Sequence, residues 1–149
     1  MSDQLTASAV RHETASPVSL AIPCRAEHVA LCRLVVGALG ARDGLDGDTV
    51  ADLKVIVTEA CNCFLAMAGD ACVGVGVPSL RMEFDPQPDR FVIDVLYPEK
   101  RELVSWLEDR DPLSEAGLGL TILKALTDEM SESPHEEGTV LRLVKRLPE

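Results

Sequence analysis

Gly117-Leu118-Gly119-Leu120-Thr121-Ile122-Leu123 is the stretch that decides how this 149-residue chain is read: two glycines, one residue apart, open an apolar run of helical period. That run continues to about residue 130. Glycine lets backbone N–H groups approach an anion closely, and the first turn of a helix adds its dipole, so a phosphate is the natural guest. Glycines before a helix also serve as plain loop punctuation, and on these residues alone both readings stand.

Upstream, Gly47 to about Ala68 carries Leu53, Ile56, Val57, Ala60 and Phe64 at helical spacing, with Asp48 or Thr49 available as the cap. Between the two helices Leu80, Met82 and Phe84 alternate, residues 85–89 turn, and Phe91, Ile93 and Val95 alternate again, which predicts a hairpin. Residues 98–116 form a charged connection anchored by Trp106 and Leu107. Downstream, short strands are expected at 131–133 and 139–144, with Gly138 at the turn between them. At the start, Val18, Leu20 and Ile22 alternate as a first strand that Pro23 and Arg25 end. Residues 26–41 follow as a helix through Val29, Leu31, Leu34, Val35 and Leu39, stopped by Gly40 and Gly44. Residues 1–16, polar and without period, read as a flexible N-terminal arm, and residues 17–149 as one domain. The order strand, two helices, two strands, helix, two strands predicts an α/β two-layer sandwich, a mixed sheet with helices on one face. The glycine-rich turn comes late and no parallel βαβ chain precedes it, which excludes a Rossmann unit.

Composition narrows the function. Hydrophobic residues make up 46% of the chain, enough for a core, while 14 Lys plus Arg against 25 Asp plus Glu give a net charge of −11. Such a charge repels phosphate backbones and anionic lipid, so neither nucleic acid nor membrane is expected as a partner, and a basic protein is. The charge is uneven: residues 128–137 hold five acids and no Lys or Arg, and Arg142, Lys145 and Arg146 follow. No apolar run nears the roughly 20 residues that span a bilayer, and the N-terminus does not read as a signal peptide, so the expected location is the cytoplasm. The five cysteines, Cys24, Cys32, Cys61, Cys63 and Cys72, are odd in number and scattered, as in a reducing compartment. Cys61 and Cys63 lie about 200° apart on a helix, and His12, His28 and His135 are distant in sequence, so buried structural thiols are expected and no metal site.

Thr58-Glu59-Ala60-Cys61-Asn62-Cys63 sits mid-helix with a carboxylate and a carboxamide three residues apart. Glu59 lies near the apolar stripe, where burial would raise its pKa and suit it to general-base work; the other reading is a partly exposed helix glutamate.

Three blocks together resemble the anti-sigma-factor serine kinases of the GHKL ATPase superfamily, which have the Bergerat fold. They are Asp52-Leu53-Lys54-Val55-Ile56-Val57-Thr58-Glu59-Ala60-Cys61, the stretch from Gly117 to Glu129, and the stretch from Gly138 to Arg146. In order and spacing they match that family's N-box helix, second glycine box and closing strand. The resemblance implies a partner-switching regulator that holds a sigma factor away from RNA polymerase and lets it go when an anti-anti-sigma protein competes for the regulator. Kinase members phosphorylate that antagonist on serine with ATP and Mg²⁺. By this resemblance Glu59 matches the catalytic base, while Gly117, Gly119 and the adjoining Leu120 lie beside the triphosphate. Thr139 falls near the adenine pocket, Arg33 on the first helix is a candidate partner contact, and a homodimer through the sheet is expected.

The sequence departs from the family in two places. Its N-box asparagine, four residues after the glutamate, is Cys63 here, and Asn62 stands one residue early, about 100° around the helix. A neutral thiol is a poor ligand for Mg²⁺. The Asp-x-Gly-x-Gly of the first glycine box, whose aspartate reads adenine, is Tyr97-Pro98-Glu99-Lys100-Arg101. Two further readings therefore stand beside the kinase: a binding module of the same fold that sequesters a sigma factor without nucleotide, and a redox sensor using Cys61, Cys63 or Cys72.

Overall fold

The computed structural model describes residues 17–69 and 79–148. The expected N-terminal arm, residues 70–78 and Cys72 lie outside the described residues. Among those described, the strands are β1 (Val18–Pro23), β2 (Ser79–Pro86), β3 (Arg90–Tyr97), β4 (Glu129–His135) and β5 (Gly138–Arg146). The helices are α1 (Val29–Asp43), entered through a 3-10 turn at Ala26–His28, α2 (Gly47–Ala68), α3 (Leu103–Glu108) and α4 (Glu115–Leu126).

The strands make one sheet in the order β1-β2-β3-β5-β4, and the helices cover one face of it, which is the expected two-layer architecture. The sheet is antiparallel at every pairing rather than mixed. Two helices, not one, separate β1 from β2, so the chain returns to the end it left and the strands oppose. β3 and β4 do run the same way, but the β4–β5 hairpin lays β5 between them and they never pair.

Alternation places the strand residues as expected. Leu80, Met82 and Phe84 of β2, Phe91, Ile93, Val95 and Tyr97 of β3, and Leu141 and Leu143 of β5 are buried under the helices. They meet Leu53, Ile56, Val57, Ala60 and Phe64 of α2 in a common core. On α1 the buried face runs through Val29, Cys32, Val36, Leu39 and Gly40, whereas Leu31 and Leu34 are 44% and 69% exposed. Cys32 takes the inward position that the leucines were expected to fill, as a small buried thiol can. Gly44 ends α1 in the left-handed region at φ 70°, where glycine is unstrained. The cap of α2 is Asp46, whose carboxylate accepts from the Thr49 N–H at 2.7 Å, and not Asp48 or Thr49. The charged connection holds α3, a helix with Leu103 and Leu107 buried, where only apolar anchors were expected. α4 starts at Glu115, so the two glycines lie inside its first turns instead of before them.

Candidate functional site

α4 packs on α2 at Gly119, opposite Cys63 and Glu59. A Cβ at Gly119 would stand 2.7 Å from Cys63 Sγ and 3.1 Å from Glu59 Oε1, so only glycine lets the helices approach this closely. Glu59, half-buried, Cys63 and Gly119 are thus brought together. Leu120 is buried beside them in the core. Asn62 is exposed on another face of α2, as its 100° offset requires.

Gly117 is also a packing residue, since its Cβ would lie 2.2 Å from the Asp111 carbonyl oxygen. Its N–H donates to Ser114 Oγ at 3.1 Å and the Leu118 N–H donates to the Ser114 carbonyl at 2.8 Å, so Ser114 caps the helix at the glycines. Sequence reasoning missed this cap, although a serine three residues before a glycine in a helical run is a recognisable signal.

Burial raises the Cys63 thiol from 9.0 to about 12, with the Glu59 carboxylate adding to the rise. Cys61 faces the opposite way, toward Met82 Sδ at 3.9 Å, and its thiol is also pushed up, by its hydrogen bond with Cys32 first and then by burial. Cys24, Cys32, Cys61 and Cys63 are all buried. With their thiols buried and pushed up, Cys61 and Cys63 are placed as packing residues.

At the end of β3, Tyr97 is fully buried, with its ring 5.1 Å from that of Phe64 on α2. Its hydroxyl donates to Glu132 Oε2 of β4. The same carboxylate accepts from the N–H groups of Leu103 and Val104 at 2.7 and 3.1 Å, capping α3. Burial, then the Glu132 bond, pushes the phenol well above its ordinary range. Thr139 is buried and its hydroxyl donates to the Glu99 carbonyl at 2.7 Å, so it fastens the connection after Tyr97. Glu132 was legible only as one acid in an acidic stretch.

Asp128, Glu129 and Glu137 of that stretch are exposed and meet other groups of the chain at its surface. Asp128 accepts from the Arg146 N–H at 2.6 Å, Glu129 lies 3.7 Å from Arg90, and Glu137 lies 3.1 Å from Arg81. Arg33 is exposed on α1, between exposed Leu31 and Leu34. On the uncovered face of the sheet Arg142 donates twice to Asp94, at 2.8 and 2.9 Å. Beside this pair a cavity of about 500 Å³ is lined by Ser19, Ala21, Arg81, Glu83, Leu96 and Val140, among others.

Of the residues that the resemblance sets around a nucleotide, Glu59 and Gly119 come together, whereas Gly117 packs against Asp111 with its N–H taken by Ser114, and Tyr97 stands buried at the position of the adenine-reading aspartate. Cys63 offers a neutral thiol where Mg²⁺ needs oxygen, and among the described residues no group of three His, Cys, Asp or Glu could hold a metal ion. Also among the described residues, no helix is long and apolar enough to cross a membrane.

Residues 22–145 match the histidine kinase-like ATPase domain. Serine-protein kinase RsbW of Bacillus subtilis (strain 168) is 29% identical over 133 residues, 83% of this chain and 81% of that protein. The protein of the same name from Bacillus velezensis is 31% identical over the same shares of each chain. A chain in the crystal structure of the SiaB-SiaC complex from Pseudomonas aeruginosa shares the fold, with a TM-score of 0.68 and 14% identity over 97% of both chains. The matched residues run from β1 through α2 and α4 into β5, and the chain belongs to the histidine kinase-like ATPase domain family.

Proposed function

We propose that the protein is an anti-sigma factor of a partner-switching system, a cytoplasmic protein that sequesters a sigma factor and frees it when an anti-anti-sigma antagonist binds in its place. The observation that carries this reading is its likeness to proteins named serine-protein kinase over more than four-fifths of both chains. A net charge of −11 suits a basic, DNA-binding partner, since complementary charge steers encounter and suppresses wrong partners. On α1, Arg33 between exposed Leu31 and Leu34 is a candidate contact. A homodimer through the sheet is supported by the uncovered face around Asp94 and Arg142.

The family's chemistry is serine phosphorylation with ATP, and Glu59 is the proposed base, with Gly117 and Gly119 on the phosphate side. At the nucleobase and metal positions Tyr97 and Cys63 do not fit Mg·ATP.

Co-purification tests the proposal. The tagged chain, expressed with each sigma factor of its source in turn, should capture one of them in a defined complex, which the cognate antagonist dissolves. Capture of none overturns it.

A further inference from the structure

We infer that the apolar strip of Leu113, Leu118, Ile122 and Val55, along α4 and α2, docks a basic amphipathic helix of the sigma factor. The inference rests on the partner-switching reading above and adds to it a second contact surface and the chemistry of the segment that fills it.

Among the described residues five large hydrophobic side chains are exposed, and all five lie on the helices or the connection before α4, none on the open face of the sheet. Leu31 and Leu34 belong to α1. The other three are Leu113 at 82%, Leu118 at 47% and Val55 at 40%. Leu113 directly precedes the Ser114 cap of α4 and Leu118 follows that cap by four, the two positions whose side chains meet across a helix start. Ile122, half-buried, continues the line from Leu118 one turn on. α2 runs antiparallel beside them. Gly119 stands at Glu59 and Cys63, whereas Asp52 pairs at 3.2 Å with Lys145, next to Val144, whose carbonyl takes the Asp128 N–H just beyond α4. Val55, one turn before Glu59, therefore lies beside Ile122. Glu59 itself is half-buried against Gly119 and is no part of the strip.

The margin of the strip carries one sign of charge. Asp48 lies two turns before Val55 on the same face of α2, and Asp111 and Glu115 flank Leu113. All three are exposed, and among the described residues none of them is in an ion pair. The cations of the region are engaged or turned away. Lys145 holds Asp52, Lys124 holds Glu108 at 3.6 Å, Arg110 lies 4.3 Å from the centre of the Trp106 ring, and Lys54 packs toward Gly37 of α1.

Unpaired carboxylates around apolar side chains attract the opposite arrangement, large apolar residues flanked by Lys and Arg. The strip offers side chains only, because the helix backbones are bonded within themselves. An extended segment laid on it would leave its own N–H and C=O groups unpaired, while a helix brings them already satisfied. At about 1.5 Å per residue the strip from Leu113 to Ile122 runs roughly 14 Å, room for anchors at i, i+3 or i+4 and i+7 of one partner helix. Of the two proposed partners the sigma factor binds DNA and so carries such basic segments.

The test is sigma-factor capture by the tagged full chain, with affinities for wild type, Leu118→Gln, Leu118→Met and the pair Asp48→Asn with Glu115→Gln, each checked by thermal unfolding. Glutamine keeps the volume and buries an unpaired amide under the partner, so affinity should fall at least about tenfold, whereas methionine keeps it within about twofold. The neutral pair should weaken affinity about two- to tenfold and flatten its salt dependence. Wild-type affinity in folded Leu118→Gln, or an unchanged salt dependence in the neutral pair, overturns the docking surface. If Leu118→Gln does not fold, Leu113→Gln decides, since that side chain stands almost wholly in water.

As a second readout, photo-reactive benzoylphenylalanine in place of Leu113 should cross-link to a Lys- and Arg-rich peptide of the captured sigma factor. A link to an acidic peptide, a link to the antagonist alone, or none in the captured complex overturns the inference. A wild type that captures no sigma factor overturns the proposed function and this inference with it, whereas capture that none of these changes alters counts against the docking surface alone.

Discussion

Gly119 and Cys63 set how closely α4 and α2 approach: the Cβ that Gly119 lacks would lie 2.7 Å from the Cys63 sulfur. Gly119→Ala gains up to about 1 kcal/mol of helix propensity but forces an overlap in a packed interface, which costs about 1–3 kcal/mol. Net destabilisation by urea unfolding is expected. Cys63→Ala in the same chain removes the sulfur and should recover most of the loss, so the double-mutant cycle should show a coupling above about 0.5 kcal/mol. Additive effects would mean that the two residues do not limit the approach.

The same sulfur makes stability depend on alkaline pH. Burial and the Glu59 carboxylate raise the Cys63 thiol from 9.0 to about 12 in the folded chain. Between these values the unfolded chain has released a proton that the folded chain still holds. Stability from this group is therefore complete below pH 9 and is lost as pH rises toward 12, with a slope approaching about 1.4 kcal/mol per pH unit. Cys63→Ala should flatten the curve by that slope relative to wild type. An unchanged slope would assign the alkaline loss to other groups, such as Tyr97.

Asp46→Ala should cost about 1 kcal/mol, the usual worth of an N-cap, and Asp48→Ala much less, as measured by thermal unfolding. The pair also shows what the sequence could reveal. Apolar period found α2 to the residue and alternation found the inward faces of β2, β3 and β5, because burial enforces both patterns. It could not choose among Asp46, Asp48 and Thr49, three capping-type residues within one turn, since the choice depends on where the backbone leaves extended geometry. On α1 two leucines outscored a cysteine by type, yet the fold turns Cys32 inward and leaves Leu31 and Leu34 outside.

At the candidate site, Glu59 and Gly119 were legible because a helix–helix contact lies behind both motifs. Tyr97 was legible only as a missing aspartate. Its pairing with Glu132 joins residues 35 positions apart on strands that do not touch, and no local pattern encodes that.

The uncovered sheet face yields a prediction about assembly. Val140 and Leu96 lie opposite each other on β5 and β3, at the rim of the cavity beside Asp94 and Arg142. Val140→Glu sets an unpaired carboxylate among Glu83 and Asp94 on a face proposed to meet its copy, where like charges disfavour association. Sedimentation should show a dimer for wild type and a monomer for the variant, with thermal stability little changed. A variant that stays dimeric would move the interface off this face.

Glu59→Gln separates chemistry from binding. Glutamine keeps the shape beside Gly119 and removes the charge, so packing of α2 on α4 and sigma-factor capture should match wild type. A general base contributes about a hundredfold or more to proton transfer, so phosphorylation of the antagonist, followed by phosphate-affinity electrophoresis, should fall by at least that factor. Equal rates with glutamate and glutamine would remove Glu59 as the base. Loss of sigma capture would instead place Glu59 on the partner surface, because the substitution changes charge and leaves volume alone.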